Sequence, residues 1–360
     1  MAPKTPYSDL PPTAFWRSAV AEPGLWGLNG LWQSKWQLPS DARFVTFGSC
    51  FAQHISRALL SRGLNWLNAE PAPGRTPDAL AQAYGYGVFS ARTGNIYRAA
   101  QLLAQVELAT GAIALDHWEI WEGEGGRKLD SMRPAIEPGG FADETDLLAS
   151  RLAMGRAFRR CLTEAEVLVF TLGLTEGWQN AATGQCYPLC PGTQGGQFDP
   201  DRHIFVNDRY PEARTAMEAA LSAIWALNPA LRVLLTVSPV PLTATASGQH
   251  VLAATTWSKS VLRAVAGDLA AEDGRVDYFP SYEIITGAPT RSAFYEPNLR
   301  SVAPTGVATV MQHFFAGLDL GGAPIGHGLG EAARTAALEE GMVQEDLVCE
   351  EMTLERFNNA

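Results

Sequence analysis

The sequence predicts an α/β protein with a doubly wound, mainly parallel sheet in a three-layer α/β/α arrangement. Two patterns point there: apolar, β-prone runs recur without polar alternation, and helical spans separate them. Composition agrees, since hydrophobic residues are 46% of the 360, with ten tryptophans and fifteen phenylalanines. Such a chain can bury a large core and is not a disordered one.

Residues 1–40 are rich in Pro, Trp and Leu without a clear period. They are expected to form an arm whose aromatics (Trp16, Trp26, Trp32, Trp36) fill grooves on a folded domain, with stacking on sugar rings as the functional alternative. From Ala42, ARFVTFG reads as a strand ending in Gly48. FAQHISRALLSRG then reads as a helix with Phe51, Ile55, Leu59 and Leu60 on one face and Gly63 as its stop. GNIYRAAQLLAQVEL is helical, with Ile96, Leu103 and Val106 on one stripe, and residues 143–163 form a longer helix before the strand AEVLVFTLG. PEARTAMEAALSAIWALNP is a helix with Pro211 in its first turn, and LRVLLTVSP is the next strand. TWSKSVLRAVAGDLAAEDG, RVDYFP and PTGVATVMQHFF follow as helix, strand and helix. One domain over residues 41–320 with four or five parallel strands is expected. Residues 174–210 read as a long loop, the usual form of a lid or binding loop. Residues 321–360 read as an acidic helical tail (EAARTAALEE, EDLVCEEMTLERF), docked or facing a partner.

Charge narrows the functions. Thirty-eight acidic against 27 basic residues give −11, and no basic patch offsets it, so nucleic acid is not an expected partner. No run of eighteen apolar residues predicts a membrane span, and the start MAPKTPYSDLPPTAFWRSAV lacks the pattern of a signal peptide. Cys50, Cys161, Cys186, Cys190 and Cys349 are odd in number and scattered, unlike a disulfide framework. A cytoplasmic protein is expected. Cys186-x-x-x-Cys190 has no second pair at ligand spacing, and no GxGxxG or Walker pattern follows a strand, so neither metal nor organic cofactor is expected.

In parallel sheets, ligands bind outside the C-terminal ends of the strands, and the polar motifs fall there. The leading one is Phe47-Gly48-Ser49-Cys50-Phe51-Ala52, between the first strand and its helix. A glycine turn there presents the next side chains at the helix N-terminus, where a thiol's pKa falls and backbone amides can hold an oxyanion. The structural alternative makes Ser49 a helix cap and Cys50 a small buried filler.

These residues resemble the hallmark of the GSCFA-domain family, which is similar to the first block of the SGNH/GDSL hydrolase superfamily. TPYSDLP and AFWR near the start, TLGLTEGW at 171–178, TVSPVPL at 236–242, HVLAATTWSKSVLR at 250–263 and YFPSYEI at 278–284 extend the resemblance over most of residues 5–317. It implies a flavodoxin-like SGNH fold and an esterase or O-acyltransferase acting on hydroxylated substrates, glycans among them. The superfamily's Gly-Asp-Ser falls on Gly48-Ser49-Cys50, so Cys50 takes the nucleophile position; Ser49, with a one-residue shift, is the alternative. Gly173-Leu174-Thr175-Glu176 matches the Gly-x-Asn-Asp block, which implies Thr175 as an oxyanion donor and Glu176 as orienting the turn. Gly94, with Asn95 beside it, matches the second-block glycine. Asn298 and Ser301 stand where the resemblance puts an Asp and a His, and neither is a base near neutral pH.

Another imidazole would then have to move the proton. His250 opens a block on the active rim, His54 follows Cys50 by four residues on the same helical face, and His203 lies in the 174–210 segment. The competing expectation is a binding or scaffold protein that keeps the fold without turnover.

Overall fold

The computed structural model describes residues 5–320 and 350–359. The chain divides into two compact units, residues 41–278 with 346–360, and residues 1–40 with 279–345.

The larger unit is α/β. Its four-stranded parallel sheet has the order β1 (Phe44–Gly48), β4 (Val167–Leu172), β8 (Arg232–Val237), β9 (Val276–Tyr278), with Gly48 in register with Thr171. Every residue of β1 and β4 is buried, so these strands read as unbroken apolar runs. The flanking helices are α2 (Ala52–Ser61), α4 (Ala99–Thr110), α5 (Glu144–Glu164), α6 (Tyr210–Leu227) and α7 (Val251–Glu272), with the short α3 (Asp78–Ala83) before α4. α2 buries Ile55 and Leu59, whereas Leu60, expected on the same face, is exposed. Asp143 caps α5 by accepting the Asp146 amide at 3.0 Å, and Pro211 stands in the first turn of α6.

The chain also returns along the other edge of β1. Phe44 and Trp66 form a parallel bridge, Phe44 donates its amide to Asn65 at 2.8 Å, and Leu67 donates to Phe44 at 2.9 Å. Trp66 Nε1 fixes this segment by donating to Thr46 Oγ1 at 2.9 Å. Connections thus leave β1 in both directions, and its C-terminal end is a topological switch point, the place where open α/β sheets bind ligands.

Residues 174–210 are not the loop that was expected. They form an antiparallel three-stranded sheet in the order β6 (Cys186–Tyr187), β5 (Glu176–Asn180), β7 (His203–Asn207). EGWQN and HIFVN are short, and much of each is only half-buried, so neither is a long apolar run. A small hairpin pairs β2 (Ile120–Glu122) with β3 (Lys128–Asp130). Asp130 at its end is fully buried between Arg133 at 2.8 Å and Arg151 of α5 at 3.0 Å, both also fully buried. Arg151 further donates to the carbonyls of Leu115, Trp118 and Glu119.

The smaller unit holds α1 (Gly24–Gly27), α8 (Ser281–Thr286) and α9 (Pro304–Gly317). The N-terminal arm packs here. The ring of Trp32 meets Phe279 at 5.2 Å and Phe314 at 5.9 Å, Trp26 meets Phe294 edge-on at 5.6 Å, and Leu38 donates its amide to Asp319 at 2.8 Å.

The tail segment EAARTAALEE lies outside the described residues; Glu350–Asn359 is a 3₁₀ helix rather than an α-helix. Among the described residues, no helix is long and apolar enough to cross a membrane.

Candidate functional site

The site is built from the ends of β1 and β4 and the loop between them. Gly48 has φ +131°, and a Cβ there would lie 2.6 Å from the Thr171 amide nitrogen and closer still to its carbonyl. Only glycine fits this close approach of two strands. The next residue, Ser49, donates its amide to the Thr171 carbonyl at 3.0 Å and accepts the Ala52 amide at 2.9 Å on its own carbonyl. Its hydroxyl is buried and has no hydrogen-bond partner. The capping role considered for the Ser49 side chain is therefore absent, and the residue that caps α2 is Phe51, through no side-chain bond. Cys50, also buried, precedes the helix, and its carbonyl accepts the Gln53 amide at 3.1 Å.

Gly94 to Tyr97 close the other side. Periodicity places these residues in a helix, yet α4 begins only at Ala99. The Ile96 amide donates to Gly48 at 2.8 Å, and the Tyr97 carbonyl accepts the amides of Gly173 and Leu174 at 2.9 and 3.0 Å. Backbone groups that tie two strand ends together cannot also continue a helix. Gln101 stops the helix there by accepting the amides of Tyr97 and Arg98 on its side chain, both at 2.9 Å. A Cβ on Gly173 would lie 3.0 Å from Ser49 Cβ and 3.1 Å from the Tyr97 ring, so Ser49 and Tyr97 both border this glycine. Buried Lys259 of α7 donates to the Gly173 carbonyl at 2.6 Å. Sequence reasoning missed this lysine because helical periodicity reads charge as solvated.

Glu350 was also missed. Its carboxylate accepts from Asn95 Nδ2 and, at 2.9 Å, from the Tyr97 hydroxyl, and it is buried. Gln53 Nε2 holds Asn95 Oδ1 at 3.5 Å. No local pattern encodes a contact between residues 95 and 350.

The remaining candidates are dispersed. Thr175 is buried and donates its hydroxyl to Asn207 Oδ1 at 2.7 Å, so that proton is committed. Glu176 opens β5, receives the Thr245 hydroxyl at 2.8 Å, and is raised above the ordinary carboxylate range by burial. His54 is buried in the first turn of α2 with its ring edge-on to Phe51 at 5.3 Å. His203 belongs to β7; its Nδ1 accepts the Asp199 amide at 3.1 Å, and its Nε2 lies 3.9 Å from Glu119. His250 is exposed and spends Nδ1 on the Leu252 amide at 3.2 Å, which makes it the cap of α7. Asn298 and Ser301, in the smaller unit, bind each other at 3.0 Å in an Asx turn that also takes the Arg300 amide.

Gly48, Ser49, Cys50, Gly94, Asn95 and Gly173 thus meet at one sheet edge, next to a buried hydroxyl that lacks an acceptor. Fold and site together define a parallel α/β protein with a hydroxyl and a thiol on the strand-to-helix turn at its switch point. The model of the GSCFA family matches residues 43–314, about three quarters of the chain, and the protein belongs to that family. Neither a curated protein nor a solved structure matches it.

Proposed function

We propose that this protein hydrolyses or transfers an acyl group held as an ester on a hydroxylated substrate, glycans among them, on an SGNH-type fold. The observation that carries the reading is the Ser49 hydroxyl, buried and unpartnered at the switch point. A buried hydroxyl without a partner costs free energy, and a substrate carbonyl oxygen at this turn would accept its proton.

Cys50 Sγ then attacks the acyl carbon. The ester C–O bond breaks, a thioester forms, and the alcohol departs with the thiol proton. Water or an acceptor hydroxyl next attacks the thioester, and its proton returns to sulfur. The Ser49 amide is already committed to Thr171, and the Ala52, Gln53 and His54 amides to carbonyls of the same turn, so the oxyanion donor is the Ser49 hydroxyl. His54, one turn beyond Cys50, moves the proton. His203 and His250 are each held elsewhere by a backbone amide.

A second reading, binding without turnover, has its own support. Ser49 and Cys50 are only 2% and 4% exposed, and no titrating group occupies positions 298 and 301.

Iodoacetamide and a fluorophosphonate, applied to wild type, Cys50→Ala and Ser49→Ala and read by peptide mapping, separate the possibilities. Burial pushes the Cys161 thiol up and those of Cys186 and Cys190 up to about 11, so these stay unreactive near pH 7.5. Alkylation at Cys50 is expected, together with a loss of about 100-fold or more in p-nitrophenyl acetate hydrolysis in Cys50→Ala. Fluorophosphonate labelling abolished only by Ser49→Ala moves the attack to Ser49. Silence toward both reagents, with no ester turnover, leaves the binding reading.

A further inference from the structure

We propose that Gly94, Asn95 and Tyr97 form a carboxylate-binding subsite and that the chain's own Glu350 fills it, so that the C-terminal segment competes with any acidic ligand of the same cradle. One carboxylate oxygen of Glu350 takes both donors, the Asn95 amide and the Tyr97 hydroxyl at 2.9 Å. The other borders Gly94, lying 3.6 Å from where a Cβ would stand on this residue of φ +67°. Gln53 orients Asn95 from behind. A second anchor, Arg356 donating to the Thr193 carbonyl, holds the same segment down.

The character of the donors argues for a replaceable occupant. A buried carboxylate whose structural purpose is permanence is usually matched by a cation, as Asp130 is matched by two arginines. Glu350 is buried against an amide and a phenol, both neutral. Neutral donors recognise the shape and hydrogen-bonding capacity of a carboxylate without holding its charge strongly, so a free acid of similar shape can exchange with it.

Position gives the subsite its meaning. The same loop donates to Gly48 through Ile96, and Tyr97 and Ser49 both border Gly173. A carboxylate in the cradle therefore adjoins the turn that carries Ser49. That this ligand is the acid released from an acyl ester rests on the proposed acyl chemistry; occupancy of the cradle by Glu350 does not.

Binding of trifluoroacetate, followed by ¹⁹F NMR in the full-length chain, tests the proposal without any turnover. Glu350→Ala is expected to bind at least about tenfold more tightly than wild type, because the resident competitor is gone. Adding Asn95→Ala to Glu350→Ala should abolish that gain. Glu350→Ser, whose side chain is too short to reach Asn95 and Tyr97, should also bind more tightly than wild type and covers the case in which the alanine variant is poorly folded. Equal affinity in wild type and both Glu350 variants would overturn the proposal, as would a gain that survives Asn95→Ala. Tighter binding in the Glu350 variants with no labelling at Cys50 or Ser49 would leave the subsite standing and remove the acyl chemistry.

Discussion

Gly48→Ala is expected to cost about 4 kcal/mol of stability, close to the most a single substitution does, because two independent penalties coincide. The backbone sits at φ +131°, where an L side chain is strained, and the new methyl group would collide with the Thr171 backbone of the neighbouring strand. Neither obstacle is the movable end of a side chain. The loss should appear as a lower urea midpoint at unchanged slope. Gly173→Ala, whose crowding involves mainly the Ser49 and Tyr97 side chains and whose φ is not positive, should cost clearly less. Equal midpoints for Gly48→Ala and wild type would mean that the β1–β4 junction is looser than its register indicates.

The second large effect concerns Asp130. Burial alone would raise this carboxyl, but the guanidiniums of Arg133 and Arg151 outweigh it and hold the group below its ordinary value. Asp130→Asn removes the countercharge from two buried arginines and is expected to cost about 3–5 kcal/mol at neutral pH. Because the folded-state pKa is depressed, the carboxylate stabilises the protein fully above the unfolded value of about 4. That contribution disappears as pH falls through the folded value. The gap in urea midpoint between wild type and Asp130→Asn should therefore be wide at pH 7 and close in acid. A gap that does not change with pH would show that hydrogen-bond geometry, not charge, is what Asp130 supplies.

Much of the scaffold was legible because its signals are local. ARFVTFG, AEVLVFTLG and LRVLLTVSP are buried on both faces, which writes them as continuous apolar runs, and the glycine closing the first run marks the turn. The antiparallel sheet at 176–207 was not legible, since its strands are short and gain their order from one another rather than from an apolar face. At the site, Gly48, Ser49, Cys50, Gly94 and Asn95 could be picked out by their position after strands or by family resemblance. Tyr97, Lys259 and Glu350 could not, because each acquires its partner only through tertiary contact. His250 was picked out by its place on the active rim, and the fold adds what the sequence did not carry, that its ring caps a helix.

The pairing of β1 with β4 also governs how the chain folds. Phe44 and Val167 stand side by side, with more than a hundred residues between them in sequence, so until the fourth strand is placed β1 has partners only along its other edge, at Trp66, Ser90 and Ile96. Pairings of this range form late and slowly, after nearby helices and hairpins have already consolidated. The turn that bears Ser49 and Cys50 is consequently among the last parts to acquire its geometry on refolding. Until then β1 has an unsatisfied edge, the kind of surface on which partly folded chains aggregate.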